Sequence, residues 1–117
     1  MADKAQGLSD QSLQAARALQ DPRKRADAVA NAAATLSKMG KTEDAGAAIQ
    51  EAEKLAGAIA DPMSRAYAFV HLSDALRAAG RRAEAQNALR QAEAAADKVT
   101  DSSMRIPLQE TINRSRK

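Results

Sequence analysis

The chain contains no cysteine, so it has no disulfide framework, no thiol nucleophile and no thiolate metal site. Aromatic residues are almost as scarce, Tyr67 and Phe69 being the only two, and large rings therefore do not fill the interior. A single histidine, His71, leaves little for acid–base catalysis and would make a weak metal site on its own. No glycine-rich loop opens a helix after a strand. The residues thus point away from an enzyme, and no metal or cofactor is expected. No apolar run approaches the roughly 20 residues needed to cross a bilayer, so no transmembrane segment is expected. The opening MADKAQGLSD carries charge at once and has no apolar core, unlike a secretory signal. A cytoplasmic address is the default expectation, with an exported mature domain as the alternative.

What is present in abundance is alanine. It is the best helix former, and its small side chain lets helix axes approach toward the lower end of the ~8–10 Å range. An all-α fold of closely packed helices follows. At 117 residues and 12.4 kDa the chain fits a single domain, 1–117, and with 44% hydrophobic and 28% charged residues it is not compositionally disordered. The net charge of +3 is modest for a nucleic-acid binder, and acidic residues are mixed among the basic ones. The heavy use of alanine and arginine points, on composition alone, to a high-GC bacterial source.

The sequence also repeats. Asp21–Ala60 aligns without a gap on Asp61–Thr100, an offset of 40 residues, with twelve identical positions. Six of these are alanines, which the composition supplies cheaply; the other six are Asp21/Asp61, Pro22/Pro62, Arg25/Arg65, Leu36/Leu76, Gly40/Gly80 and Glu53/Glu93. Asp before Pro predicts a helix start, since the carboxylate accepts from first-turn amides and proline sits where its missing donor is not needed. Gly40 and Gly80 predict left-handed helix ends. Between them apolar residues fall at helical spacing: Val29, Ala32, Ala33 and Leu36, matched by Phe69, Leu72, Ser73 and Leu76. A second helix carries Ala45, Ile49, Ala52 and Ile59, matched by Ala85, Leu89, Ala92 and Val99. Each copy is a helical hairpin. The phase extends both ways, giving an N-terminal half-unit at about 4–20, repeat 1 at 21–60, repeat 2 at 61–100 and a C-terminal half-unit at 101–115. The six helices expected lie near 4–20, 23–39, 42–59, 63–79, 82–99 and 104–115.

A helix–turn–helix period in this range signifies an α-solenoid, whose hairpins bury their apolar faces against one another. The two sets Val29-Ala32-Ala33-Leu36 with Ala45-Ile49-Ala52, and Phe69-Leu72-Ser73-Leu76 with Ala85-Leu89-Ala92, resemble the tetratricopeptide repeat. The period of 40 exceeds that family's ~34 residues, because the second helix runs longer before Asp-Pro returns, and aliphatics or alanine replace most of its aromatics. The resemblance implies a short right-handed solenoid whose first helices line a groove for a partner peptide or helix. The residues it places on that inner face are Asn31, Ala34, Ser37 and Lys38, then Tyr67, Val70, His71, Asp74 and Arg77, then Glu110, Thr111 and Arg114. It also implies no capture of a terminal carboxylate, since Ala30 and Ala34 stand where the gripping Lys and Asn would be.

His71 has Tyr67 four residues before it and Asp74 three after, a grouping suited to holding a ligand carboxylate or sensing pH, or else to an incidental Asp–His contact on a solvated face. Arg25, Arg65 and Arg105 recur in register. They form either an anionic-partner stripe or helix-to-helix clasps onto acids such as Glu53 and Glu93. The clusters Arg23–Arg25 and Arg114–Lys117 read as solvated ends, because they lack interleaved aromatics. Glu43 and Asp44 fit an exposed helix start, where the dipole favours carboxylates. Three functions follow: an interaction module or scaffold; a self-assembling protein, with a homodimer through terminal helices carrying Ile106, Leu108 and Ile112; and a basic docking protein for nucleic acid or anionic lipid, which the charge supports least.

Overall fold

In the computed structural model, residues 20–116 are described, together with Gln14, Ala15 and Ala18, which are helical. The rest of the half-unit expected near 4–20 lies outside the described residues. Five helices follow: α1 (Pro22–Lys38), α2 (Thr42–Ala58), α3 (Pro62–Ala78), α4 (Arg82–Ala96) and α5 (Ser102–Ser115), with no strand among the described residues.

Capping chemistry sets these boundaries. The Asp21 carboxylate accepts from the amides of Arg23 and Lys24, and Asp61 accepts from the Ser64 amide. Asp101 caps α5 in the same manner through Ser103, without a following proline. That cap starts the last helix at Ser102, two residues before the position expected from the sequence. At the other end of α1 and α3, Gly40 and Gly80 take φ of 78° and 77°. The Gly40 and Lys41 amides donate to the carbonyls of Ser37 and Leu36, and those of Gly80 and Arg81 to Arg77 and Leu76. Both turns are thus the same Schellman-type closure, which satisfies carbonyls the helix leaves open. α4 ends at Ala96, short of the expected 99. There, Lys98 and Val99 donate to the carbonyls of Ala95 and Ala96, and this tightened turn still tucks Val99 into the core.

Packing follows from the alanines. Among the described residues, sixteen of the twenty-eight buried apolar ones are alanine, so close helix approach, and not bulky interdigitation, removes the apolar surface from water. Leu36, Leu89, Leu108, Ile112 and Val29 are the largest fully buried apolar side chains. Ser73 is wholly buried, and its hydroxyl donates to the Val70 carbonyl at 2.7 Å, which meets its polar demand inside the helix.

Contacts are local along the chain. α1 meets α2 and α3; α3 meets all four other helices; α4 also meets α5; and α1 touches neither α4 nor α5. Thus α1, α3 and α5 make one layer joined through α3, on which α2 and α4 pack without meeting each other. The extents, 49 × 30 × 18 Å, suit a slab two helices thick.

The last helix departs from expectation. Leu108 and Ile112 are buried, while Ile106 is 52% exposed and Met104 44% exposed. Residues 108 and 112 share one face by their spacing of four, and Ile106 lies on nearly the opposite side. Forty residues earlier, Ala66, Phe69, Ser73 and Leu76 are all buried in α3; their counterparts Ile106, Gln109, Asn113 and Arg116 are mostly polar. Arg116 forms an ion pair with Glu93 that ties the end of α5 back to α4.

Candidate partner-binding face

The layer of α1, α3 and α5 places the sequence-nominated residues unevenly. Asn31, Lys38, Asp74, Glu110 and Arg114 are exposed; Ala34, Ser37, Tyr67, His71, Arg77 and Thr111 are half-buried. Val70 is 3% exposed and belongs to the core, so it does not line the face. Arg77 has one guanidinium nitrogen, Nη2, buried without a hydrogen-bond partner.

Only Tyr67 and His71 are drawn into a built constellation, and their partners come from α1. His71 Nδ1 lies 2.7 Å from Asp27 Oδ1. Both atoms are withdrawn from solvent and have no other partner, so the pair is satisfied when a proton on Nδ1 lies between them. The Arg23 guanidinium lies over the Tyr67 ring, 4.7 Å from its centroid. Arg23 Nε also approaches Asp27 Oδ2, at 3.9 Å. The expected Asp74–His71 contact is therefore replaced by a bond between helices, with Asp74 acting on the imidazole only through its charge. Arg23, read from sequence as part of a solvated end, is instead stacked on an aromatic ring.

The Asp27 hydrogen bond raises the His71 pKa above its ordinary value. Burial opposes that rise, the charges of Asp27 and Asp74 reinforce it, and the Arg23 charge works against it. Held this way, the ring presents its Nδ1 edge to α1, while 39% of the side chain stays exposed.

Asp27 and Arg23 were missed because sequence reading looked along one helix. A signal was nevertheless present. The separations 27 to 71 and 23 to 67 are both 44, which is one period plus one helical turn. A stack whose neighbouring first helices are offset by a turn brings those positions face to face.

Two of the repeated arginines make contacts within the fold, while Arg25 Nε is buried without a hydrogen-bond partner. Arg105 Nη1 donates to the Val99 carbonyl at 3.2 Å, clasping the turn that precedes its helix. Arg65 lies 5.9 Å from the centroid of Phe69. The expected clasp onto Glu53 and Glu93 does not form, since Glu93 takes Arg116 instead.

A cleft of about 250 Å³ lies elsewhere, lined by Glu93, Asp97, Gln109, Ile112 and Asn113. It has no part in the Arg23–Tyr67 and Asp27–His71 contacts. Among the described residues no three metal-ligating side chains gather, and no helix is long and apolar enough to cross a membrane. Comparison with protein-family models, curated proteins and solved structures returns no match.

Proposed function

We propose that this chain is a tetratricopeptide-like helical-repeat module with a 40-residue period. Its function is non-catalytic: it binds a peptide or helix of a partner protein on the α1–α3–α5 face. Matching caps at Asp21 and Asp61, matching closures at Gly40 and Gly80, and contacts confined to near neighbours along the chain support a stacked repeat. The observation that carries the functional reading is the half-exposed Tyr67 ring, held between helices by Arg23 beside the Asp27–His71 pair. Rigid aromatic anchors backed by a guanidinium are what interface hot spots are made of. The warrant for a recognition role is partly architectural, since a repeat stack offers a face and no chemistry.

The test is a random peptide library panned against the wild-type chain and against the Tyr67→Ala, His71→Ala double variant. Peptides retained by the former and lost by the latter are expected. Equal recovery on both proteins overturns the reading.

A second reading, self-association, is favoured by Ile106 and Met104, which leave apolar surface on α5 open to solvent. The polar Gln109, Asn113 and Arg116 beside them argue against a large apolar interface. Sedimentation across protein concentration decides: an association that Ile106→Glu abolishes establishes this reading, and a monomer at all concentrations removes it.

A further inference from the structure

Charge divides between the two layers. α1 carries Arg23, Lys24, Arg25 and Lys38 against Asp27 alone; α3 has Arg65 and Arg77 against Asp74; α5 has Arg105 and Arg114 against Glu110. With the capping carboxylates of Asp21, Asp61 and Asp101 included, these helices hold eight cations against six carboxylates, before His71 is counted. Across the slab, α2 has Glu43, Asp44, Glu51 and Glu53 against Lys54, and α4 is balanced. The excess lies on α1, whose four cations face the two carboxylates of Asp21 and Asp27.

Within that layer Arg23 is the cation best prepared to receive an anion. It stacks on Tyr67 at 4.7 Å, and a stacked guanidinium keeps its N–H groups in the plane of the group, available at its edge. Of the carboxylates near it, Asp27 approaches only to 3.9 Å and has its other oxygen 2.7 Å from His71, while Asp61 acts on it through charge alone. The Arg23 side chain is 43% exposed, so its donors are open to an incoming acceptor. The residues one period later, Met63 and Ser103, carry no charge, so this seat belongs to one place and is not a feature of every unit.

We infer that the α1–α3 face takes an acidic segment of a partner protein, with a side-chain carboxylate of that segment seated on the edge of Arg23 above Tyr67. This rests on the proposed interaction role and names the partner chemistry for it. When His71 is protonated its charge offsets that of Asp27 and lessens repulsion of the incoming group. Asp74 and Glu110, both exposed, limit the acidic stretch to the part of the face nearest α1. The seat reads side-chain carboxylates, and a peptide whose C-terminus is amidated serves as well as one whose C-terminus is free.

The experiment is fluorescence anisotropy with three labelled probes: an amidated glutamate-rich peptide, the same peptide with lysine for glutamate, and a single-stranded oligonucleotide of similar charge. Each is titrated at low and at moderate salt with wild type, Arg23→Gln and Arg23→Lys, all checked for helicity by circular dichroism. The acidic peptide is expected to bind more tightly than the lysine peptide and the oligonucleotide. Arg23→Gln is expected to weaken it about tenfold or more, as loss of a charge-assisted hydrogen bond does, and Arg23→Lys to recover only part. Acidic-peptide binding that ignores Arg23→Gln, or that does not exceed the lysine peptide, overturns the inference. Tighter, Arg23-dependent binding of the oligonucleotide also overturns it, assigning the cationic layer to nucleic acid. The panning experiment separates the two levels. Peptides that depend on Tyr67 but have no acidic bias sink this inference and leave the interaction role standing; no such peptides sinks both.

Discussion

Removing the Asp27–His71 contact by Asp27→Ala, His71→Ala and the double substitution isolates a side-chain bond that joins α1 to α3. Hydrogen bonds to charged groups are worth about 1.5–3 kcal/mol, and the 2.7 Å separation places this one among them. The side chains are 39% and 21% exposed, so solvent screening lowers the expected coupling to about 1 kcal/mol. Its sign with pH follows from the raised His71 pKa. Protonated imidazole is favoured by folding, so the contribution is full below the unfolded value of about 6.5 and declines as pH rises through the folded value. Urea unfolding of the four proteins, followed by circular dichroism at about pH 5.5 and about pH 8.5, brackets the imidazole range. The cycle then yields a coupling energy at each pH. A coupling near 1 kcal/mol at the lower pH that shrinks at the higher is expected. A coupling that is absent at the lower pH, or grows with pH, refutes the assignment of His71 to Asp27.

Two further predictions concern the local chemistry of the helices. Gly40→Ala and Gly80→Ala meet nothing within 4 Å of the new methyl, so their cost is purely the left-handed backbone, about 1 kcal/mol each and nearly equal. Gly57→Ala, in equally open space within α2, should instead stabilise by up to about 1 kcal/mol; matched thermal melts check the opposite signs. Asp61→Ala should cost about 1 kcal/mol through loss of the α3 cap. Because bonding to Ser64 lowers the Asp61 pKa, the wild-type advantage holds above about pH 4 and disappears as pH falls through the folded value, as acid titration of both proteins will show.

The helices were legible because their ends are written in residues with one structural use. Asp-Pro and the two positive-φ glycines fixed α1 and α3 at both termini within a residue. Where that punctuation thins out, the reading slipped. α5 begins earlier than expected because Asp101 caps it without a proline, and α4 closes earlier because a tight turn delivers Val99 to the core. The candidate face was legible in part. Tyr67 and His71 could be placed on the inner face of a repeat, but their partners depend on how far one hairpin is shifted against the next. That shift is a property of packing between helices, and sequence periodicity along one helix does not contain it. Val70 illustrates the same limit: its position marks it for the groove, yet neighbouring helices bury it. Ile106, Leu108 and Ile112 read as one apolar set until their spacing around the helix divided them between core and solvent.

The central claim, that recognition takes place on the α1–α3 side of the slab, is tested most directly by mapping backbone amide chemical shifts while a peptide selected by panning is titrated in. The account predicts shifts concentrated at Arg23, Asp27, Tyr67 and His71 and their immediate neighbours, with the outward surfaces of α2 and α4 unmoved. Shifts centred instead on the cleft of Glu93, Asp97 and Gln109 would contradict it.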